Sequence, residues 1–135
     1  MKRALAAGTI YFAVVFAAGF GLGVLRTLFW VPTLGPSLAV AAELPVILTI
    51  SWLACVRIVR RLPMLRIEAA VMGACAFVLL MAAEAGVSML LAGRSLSEHL
   101  SLYAEGPHLL GLAGQVAFAC FPLVKVCRGH GVAST

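Results

Sequence analysis

Charge is scarce in this sequence. Only 11% of its 135 residues are charged, aspartate is missing altogether, and the five acidic residues are all glutamates. A soluble globular domain carries about 25% charged and about 45–50% apolar residues. Here 63% are hydrophobic and the mean hydropathy is +1.09. A small domain has too much surface for its volume to hide such an excess, so much of its surface must face lipid. The missing aspartate removes Asp-based chemistry. There is no phosphate-cradling glycine loop, no His-Glu-x-x-His and no Gly-x-Ser-x-Gly. No histidine falls mid-span on facing helices, which argues against haem ligation inside a bundle. No enzyme, cofactor or metal site is expected on this pattern. The net charge of +5 would suggest nucleic acid in a soluble protein. Here the basic residues flank apolar runs, so they report topology and attraction to membrane lipids, not a nucleic-acid partner.

A helix needs about 20 mainly apolar residues to cross about 30 Å of hydrocarbon. Four such runs are present, over residues 4–25, 37–56, 67–91 and 107–124. The first follows Met1-Lys2-Arg3 and is longer than the roughly 7–15 apolar residues of a secretory signal, so a retained first helix is expected. Trp30 to Pro36, Arg60 to Pro63 and Gly93 to Gly106 are the connections. Their shortness predicts that sequential spans are antiparallel neighbours. The expected fold is an all-α, up-down-up-down bundle of four transmembrane helices, one domain over residues 1–135.

Lys2, Arg3, Arg57, Arg60, Arg61, Arg66, Lys125 and Arg128 fall on one side of those spans, and only Arg26 and Arg94 on the other. The positive-inside rule then places both termini in the cytoplasm, with Trp30 and Tyr103 at the outer interface. Cys55, Cys75, Cys120 and Cys127 lie toward the cytoplasmic side and contain no Cys-x-x-Cys pair. Four free thiols packed as small hydrophobes are expected, rather than disulfides.

An ionisable residue within a span costs at least about 2.5–3.5 kcal/mol on insertion scales and marks a candidate site. Arg26, Glu43, Glu84 and Gln115 qualify. At about 1.5 Å of rise per residue, the last three lie roughly 9–10 Å below the outer surface, and Arg26 stands near the outer end of its span. Each of the four helices therefore offers one polar group at a similar level. Small residues surround them. Gly19 and Gly23 share a face with Arg26, while Gly111 flanks Gln115 with His108 one turn above. These glycines are the expected packing positions. Pro45 is expected to weaken the second helix near Ala41. If the two carboxylates meet, they are expected to share a proton.

Glu68 faces away from Glu84, being about 160° around the helix from it, and stands outside the cluster. Glu98, His99, Glu105 and His108 read as solvated loop polarity, because their spacing matches no metal motif. Met64, Met72, Met81 and Met89 read as packing.

The motifs Gly23-x-x-Arg26, Pro32-x-x-Gly35, Glu43-x-Pro45, Arg60-Arg61 and Ala83-Glu84 give the chain a resemblance to a widespread class of small bacterial four-span inner-membrane proteins. The resemblance implies a multi-pass protein of the cytoplasmic membrane and brings no reaction with it. Three functions are compatible with these residues. One is an accessory, assembly or stabilising protein in a larger membrane complex. Another is a small homo-oligomeric, proton-coupled transporter using the Glu/Arg cluster. The third is an intramembrane enzyme or a binder of lipid or quinone.

Overall fold

The computed structural model describes residues 1–131, and every regular element among them is helical. In chain order these are α1 (Lys2–Leu25), a π-helical segment (Arg26–Trp30), α2 (Val31–Leu34), α3 (Pro36–Arg61), α4 (Arg66–Leu91), α5 (Leu96–Ser101), a 3-10 turn (Leu102–Ala104) and α6 (Gly106–Gly131). Four helical stretches are long and apolar enough to cross a membrane: Lys2–Leu34, Pro36–Arg61, Arg66–Leu91 and Gly106–Gly129. The four-span, all-α architecture is therefore present.

The helices overrun their apolar segments. The first continues nine residues past Leu25 to Leu34, through a wider turn in which the Val31 N–H bonds the Arg26 carbonyl five residues back. It stops at Gly35, whose φ of +79° lies in the left-handed region that a Cβ disfavours. Pro36 then opens α3, where a first-turn proline loses no hydrogen bond. At the other end α3 retains Arg60 and Arg61 in its last turn, where cations complement the helix dipole. A charge ends an apolar run, but it need not end a helix.

α1 is flanked by α3 and α4, and α6 by the same two helices. Among the described residues α3 and α4, though directly joined, face each other across the diagonal of the bundle. The expectation that all sequential spans are neighbours fails at this pair. Its connection permits the crossing: from Arg61 to Arg66 an extended chain reaches up to about 17 Å. The diagonal of a square of helices about 8–10 Å apart is only about 11–14 Å. Glycine determines which helices meet instead. A Cβ on Gly8 would stand 2.7 Å from the Met72 carbonyl oxygen, and one on Gly73 would collide with the Ala119 carbonyl oxygen. α4 is thus drawn against α1 and α6 through its backbone.

Between these contacts lies a core of Ala7, Tyr11, Val15, Cys55, Met72, Ala76, Leu80 and Phe118. Tyr11 spans the other diagonal, with its ring stacked on Phe118 at 4.3 Å. Its hydroxyl donates to the Phe118 carbonyl at 3.0 Å. That carbonyl stands four residues before Pro122, which has no amide to offer it. Outward positions carry Ile10, Leu38, Leu53, Val78 and Leu90, all exposed, as a lipid-facing surface requires. Glu68 accepts from the Leu65 N–H at 2.9 Å at the start of α4, away from the other glutamates. All four cysteines are free thiols, but only Cys55 is buried. Cys120 and Cys127 are exposed, contrary to the expectation of packing, because α6 turns Phe118, Pro122 and Val126 into the bundle and leaves these two positions on its outer side.

Candidate functional site

The residues that point to function gather at the end of the bundle where α1 passes through its π-helical segment. Arg26 opens that segment, and its Nη1 donates to Glu43 Oε2 on α3 at 2.8 Å. The pair is asymmetric, with the Arg26 side chain 31% exposed and that of Glu43 only 10%. Arginine has a long stem and keeps part of its head near water. Glutamate, with a short stem in mid-helix, does not. α3 continues through Pro45, so the proline expected to weaken it leaves Glu43 on an intact helix.

Across the bundle, the Gln115 side-chain amide on α6 donates to Glu84 Oε1 on α4 at 2.6 Å. The Tyr103 hydroxyl approaches the other Glu84 oxygen at 3.4 Å. The expected polar layer thus resolves into two partnered units, Arg26 with Glu43 and Glu84 with Gln115. The carboxylates bond different partners and not each other, so the geometry for a proton shared between them does not arise. Arg26 is near enough to act on Glu84 electrostatically, which makes the two units parts of one layer.

Four expected members stand apart. His108 is exposed on the first turn of α6, with Nδ1 3.7 Å from Glu105. Seven residues from Glu84 in the same direction lies Leu91, itself exposed, so the bundle has already opened at that level. A Cβ on Gly111 would meet nothing within 4 Å, and Gly19 and Gly23 have room for ordinary contacts with Ile47 and Arg26. A Cβ on Gly8 or Gly73, at the opposite end, would instead meet backbone, and one on Gly114, beside Gln115, would meet the Leu44 side chain.

His99 belongs to the site although its loop position suggested solvated polarity. It is 7% exposed, and its ring meets that of Tyr103 edge-on at 5.5 Å. α5 places it there. The Ser95 hydroxyl accepts from the Glu98 N–H at 3.2 Å and the Glu98 carboxylate accepts from the Ser95 N–H at 2.7 Å. This reciprocal cap starts a helix that turns His99 and Tyr103 inward. Ser95-x-x-Glu98 is the signal that marks this helix in the sequence. The Ser95 amide and hydroxyl also hold the Glu98 carboxyl below the usual carboxylate range. Burial, with the Glu84 carboxylate beside it, pushes the Tyr103 phenol up to about 12.

Ser88 Oγ, His99 Nδ1 and Gln115 Oε1 are buried and make no hydrogen bond within the protein. Buried polar atoms are nearly always bonded, so these three, on α4, α5 and α6, mark this end of the bundle as not fully satisfied within the protein. Among the described residues no three His, Cys, Asp or Glu side chains converge as metal ligands do. No protein-family model, curated protein or solved structure matches the chain. Its function is therefore argued from this geometry.

Proposed function

We propose that the chain is a non-enzymatic multi-pass protein of a bacterial cytoplasmic membrane that docks against a larger membrane complex and stabilises it. The observation that carries this reading is the internal matching of its intramembrane polar groups. Arg26 bonds Glu43 and Glu84 bonds Gln115, beside a core closed by Tyr11 on Phe118. Interhelical polar bonds in membranes average only about 0.6 kcal/mol, so such pairs chiefly specify which helix sits where. A bundle whose two intramembrane polar pairs are matched to each other presents its sides to other helices. On α1 an outward ridge of exposed Ala13, Ala17 and Gly21 has the small-residue spacing along which a partner helix approaches closely.

In this reading both termini are cytoplasmic and the spans alternate in direction. Arg3 at the start of α1 lines the same small pocket as Leu62 and Pro63 of the α3–α4 connection. This gathers Lys2, Arg3, Arg60, Arg61 and Arg66 toward one membrane face, as the positive-inside rule requires. The resemblance to small bacterial inner-membrane proteins supports the same placement.

The test is mild-detergent extraction of tagged protein from its native membrane, followed by measurement of the mass and composition of the eluted assembly. Other polypeptides in fixed proportion are expected, and Gly21→Leu is expected to release them. Nothing lies within 4 Å of a Cβ at Gly21, so the bundle itself tolerates the change. A homo-oligomer alone, unaffected by Gly21→Leu, overturns the reading. A proton-coupled carrier is the second reading, favoured by the placement of the partly bonded Glu84 in the bundle interior. Glu84→Gln would then abolish proton flux in liposomes while leaving the fold intact.

A further inference from the structure

Between α3 and the second half of α6 lies an open groove of about 420 Å³, lined by Trp52, Ala117, Cys120, Phe121, Val124 and Arg128. The five residues from α6 recur at intervals of three and four, so they form one face of that helix. From Ala117 to Arg128 this face is about 16 Å long at the helical rise. Trp52 comes from α3 and meets Phe121 edge-on at 5.4 Å. Cys120 and Val124 are exposed, so the groove opens to the side of the bundle, where the surrounding medium is hydrocarbon. It is apolar along most of its length and ends on a single charged side chain, Arg128.

Charge selects the occupant. Arg128 forms no ion pair among the described residues. Of the five glutamates only Glu68 lies toward this end of the bundle, and its carboxylate is turned to the Leu65 N–H at the start of α4. Lys125 stands one turn before Arg128 on the same side of α6. It is near enough to Cys55 on α3 to act on it electrostatically, which places it toward the seam between the two helices. The groove thus pairs a hydrocarbon wall with two cations and lines itself with no carboxylate to balance them. A quinone head brings no charge to that end, and a zwitterionic lipid brings a cation of its own. A second copy of the chain, in the same orientation, brings another set of basic residues to the same level. An anionic phospholipid matches both parts, because basic pockets between spans hold such headgroups. We propose that this groove binds an anionic phospholipid, one acyl chain lying along Trp52, Phe121 and Val124 and the headgroup phosphate held at Arg128 and Lys125. The site lies on the α3–α6 side, and α1 with its small-residue ridge faces α6 only across the diagonal. It is therefore independent of the docking reading and needs only the membrane architecture.

The test is thermal unfolding of the purified full-length protein in detergent, with phosphatidylglycerol or phosphatidylcholine of the same acyl chains titrated in. Binding to the folded state alone raises Tm in a saturable way. The expected result is such a rise with phosphatidylglycerol, a much weaker one with phosphatidylcholine and none with soluble glycerol phosphate. Arg128→Gln is expected to weaken the apparent affinity about fivefold, the effect of one cation at a lipid surface. Arg3→Gln, at the same end but on the helix diagonal to α6, should leave it unchanged. Val124→Trp should abolish the response by filling the groove. If Val124→Trp fails to fold, Cys120 decides. Its thiol lies in the groove, and phosphatidylglycerol should slow its alkylation by a maleimide. Equal responses to the two lipids overturn the proposal, since lipid then coats the bundle without a site. Equal losses in Arg128→Gln and Arg3→Gln overturn it as well, as does a rise with glycerol phosphate or a Cys120 thiol that phosphatidylglycerol leaves unprotected.

Discussion

At the end where α1 begins, helices meet backbone to backbone; at the end where α1 passes into its π-helical segment, they meet through side chains. The first end has Gly8 under Met72, Gly73 under Ala119, and Tyr11 stacked on Phe118. The second has the bonds from Arg26 to Glu43 and from Gln115 to Glu84. Close backbone approach tolerates no added atom, because the neighbouring carbonyl cannot move without its helix. Paired side chains can swing, reach water or exchange partners. The dry end should therefore set the stability of the bundle, and the polar end should set its register.

The strongest attempt to break that contrast is Gly73→Val. A Cβ there overlaps the Ala119 carbonyl, so α4 and α6 must separate. Overpacking against side chains costs about 1–3 kcal/mol, and backbone obstruction should reach or exceed the top of that range. Reversible unfolding in detergent or bicelles measures it. The matched control is Gly111→Val, where nothing lies within 4 Å of the new atom and a loss well under 1 kcal/mol is expected. Comparable losses at the two glycines would remove the distinction between the ends.

Tyr11→Phe should rank next. It keeps the ring on Phe118 and removes only the hydroxyl that serves the carbonyl left without a donor by Pro122. An unsatisfied buried acceptor costs about 1–3 kcal/mol. The mechanism is checked by Pro122→Ala, which restores an amide four residues after Phe118. In that background Tyr11→Phe should cost much less, and a double-mutant cycle reads the coupling. Additive losses would show that the hydroxyl matters for some reason other than the missing proline donor.

At the polar end the expected effects are unequal. Arg26→Met strands Glu43, whose side chain is 10% exposed, whereas Glu43→Gln leaves an arginine already 31% exposed. A buried charge without its partner is costly, while an arginine near a helix end reaches toward water. Arg26→Met should therefore destabilise by about 1–3 kcal/mol, less than the value for a fully buried pair, and Glu43→Gln by less than about 1 kcal/mol. Arg26→Met with Glu43→Leu should recover most of the loss. Equal costs for the two single variants would mean that the pair is more buried than its exposure indicates.

The spans were legible because lipid demands about 20 apolar residues in a row, and that pattern survives any arrangement of the helices. That Arg26 and Glu43, and Glu84 and Gln115, stand at matching levels along their helices was legible for the same reason, since rise per residue is constant. Their pairing was not, because it depends on which helices are neighbours. Gly19-x-x-x-Gly23 shows a small-residue face but not what lies against it. Gly8 and Gly73, in less conspicuous surroundings, make the approaches that order the bundle. His99 was hidden by reading Gly93 to Gly106 as loop, although Ser95-x-x-Glu98 is a helix-start pattern. The bond from Tyr11 to Phe118 joins residues 107 apart in sequence, a separation across which no local pattern reaches.

The smallest effect expected is one of pH, and it sharpens the same contrast. The Tyr103 phenol lies outside the spans, with an ordinary value of 10.0 raised to about 12 by burial and by the Glu84 carboxylate. Because the folded value lies above the unfolded one, the folded state retains the proton more tightly. The associated stability is complete below about pH 10 and is lost as pH rises toward 12. Ionised Tyr103 beside Glu84 opposes a second negative charge, so the 3-10 turn and α5 should loosen before the Tyr11 end does. Phenolate absorbance, with Tyr103→Phe as reference, assigns the titration. Hydrogen exchange at alkaline pH then shows which end opens first. A Tyr103 phenol that titrates near 10 would mean that the turn already stands open to water and does not cover Glu84.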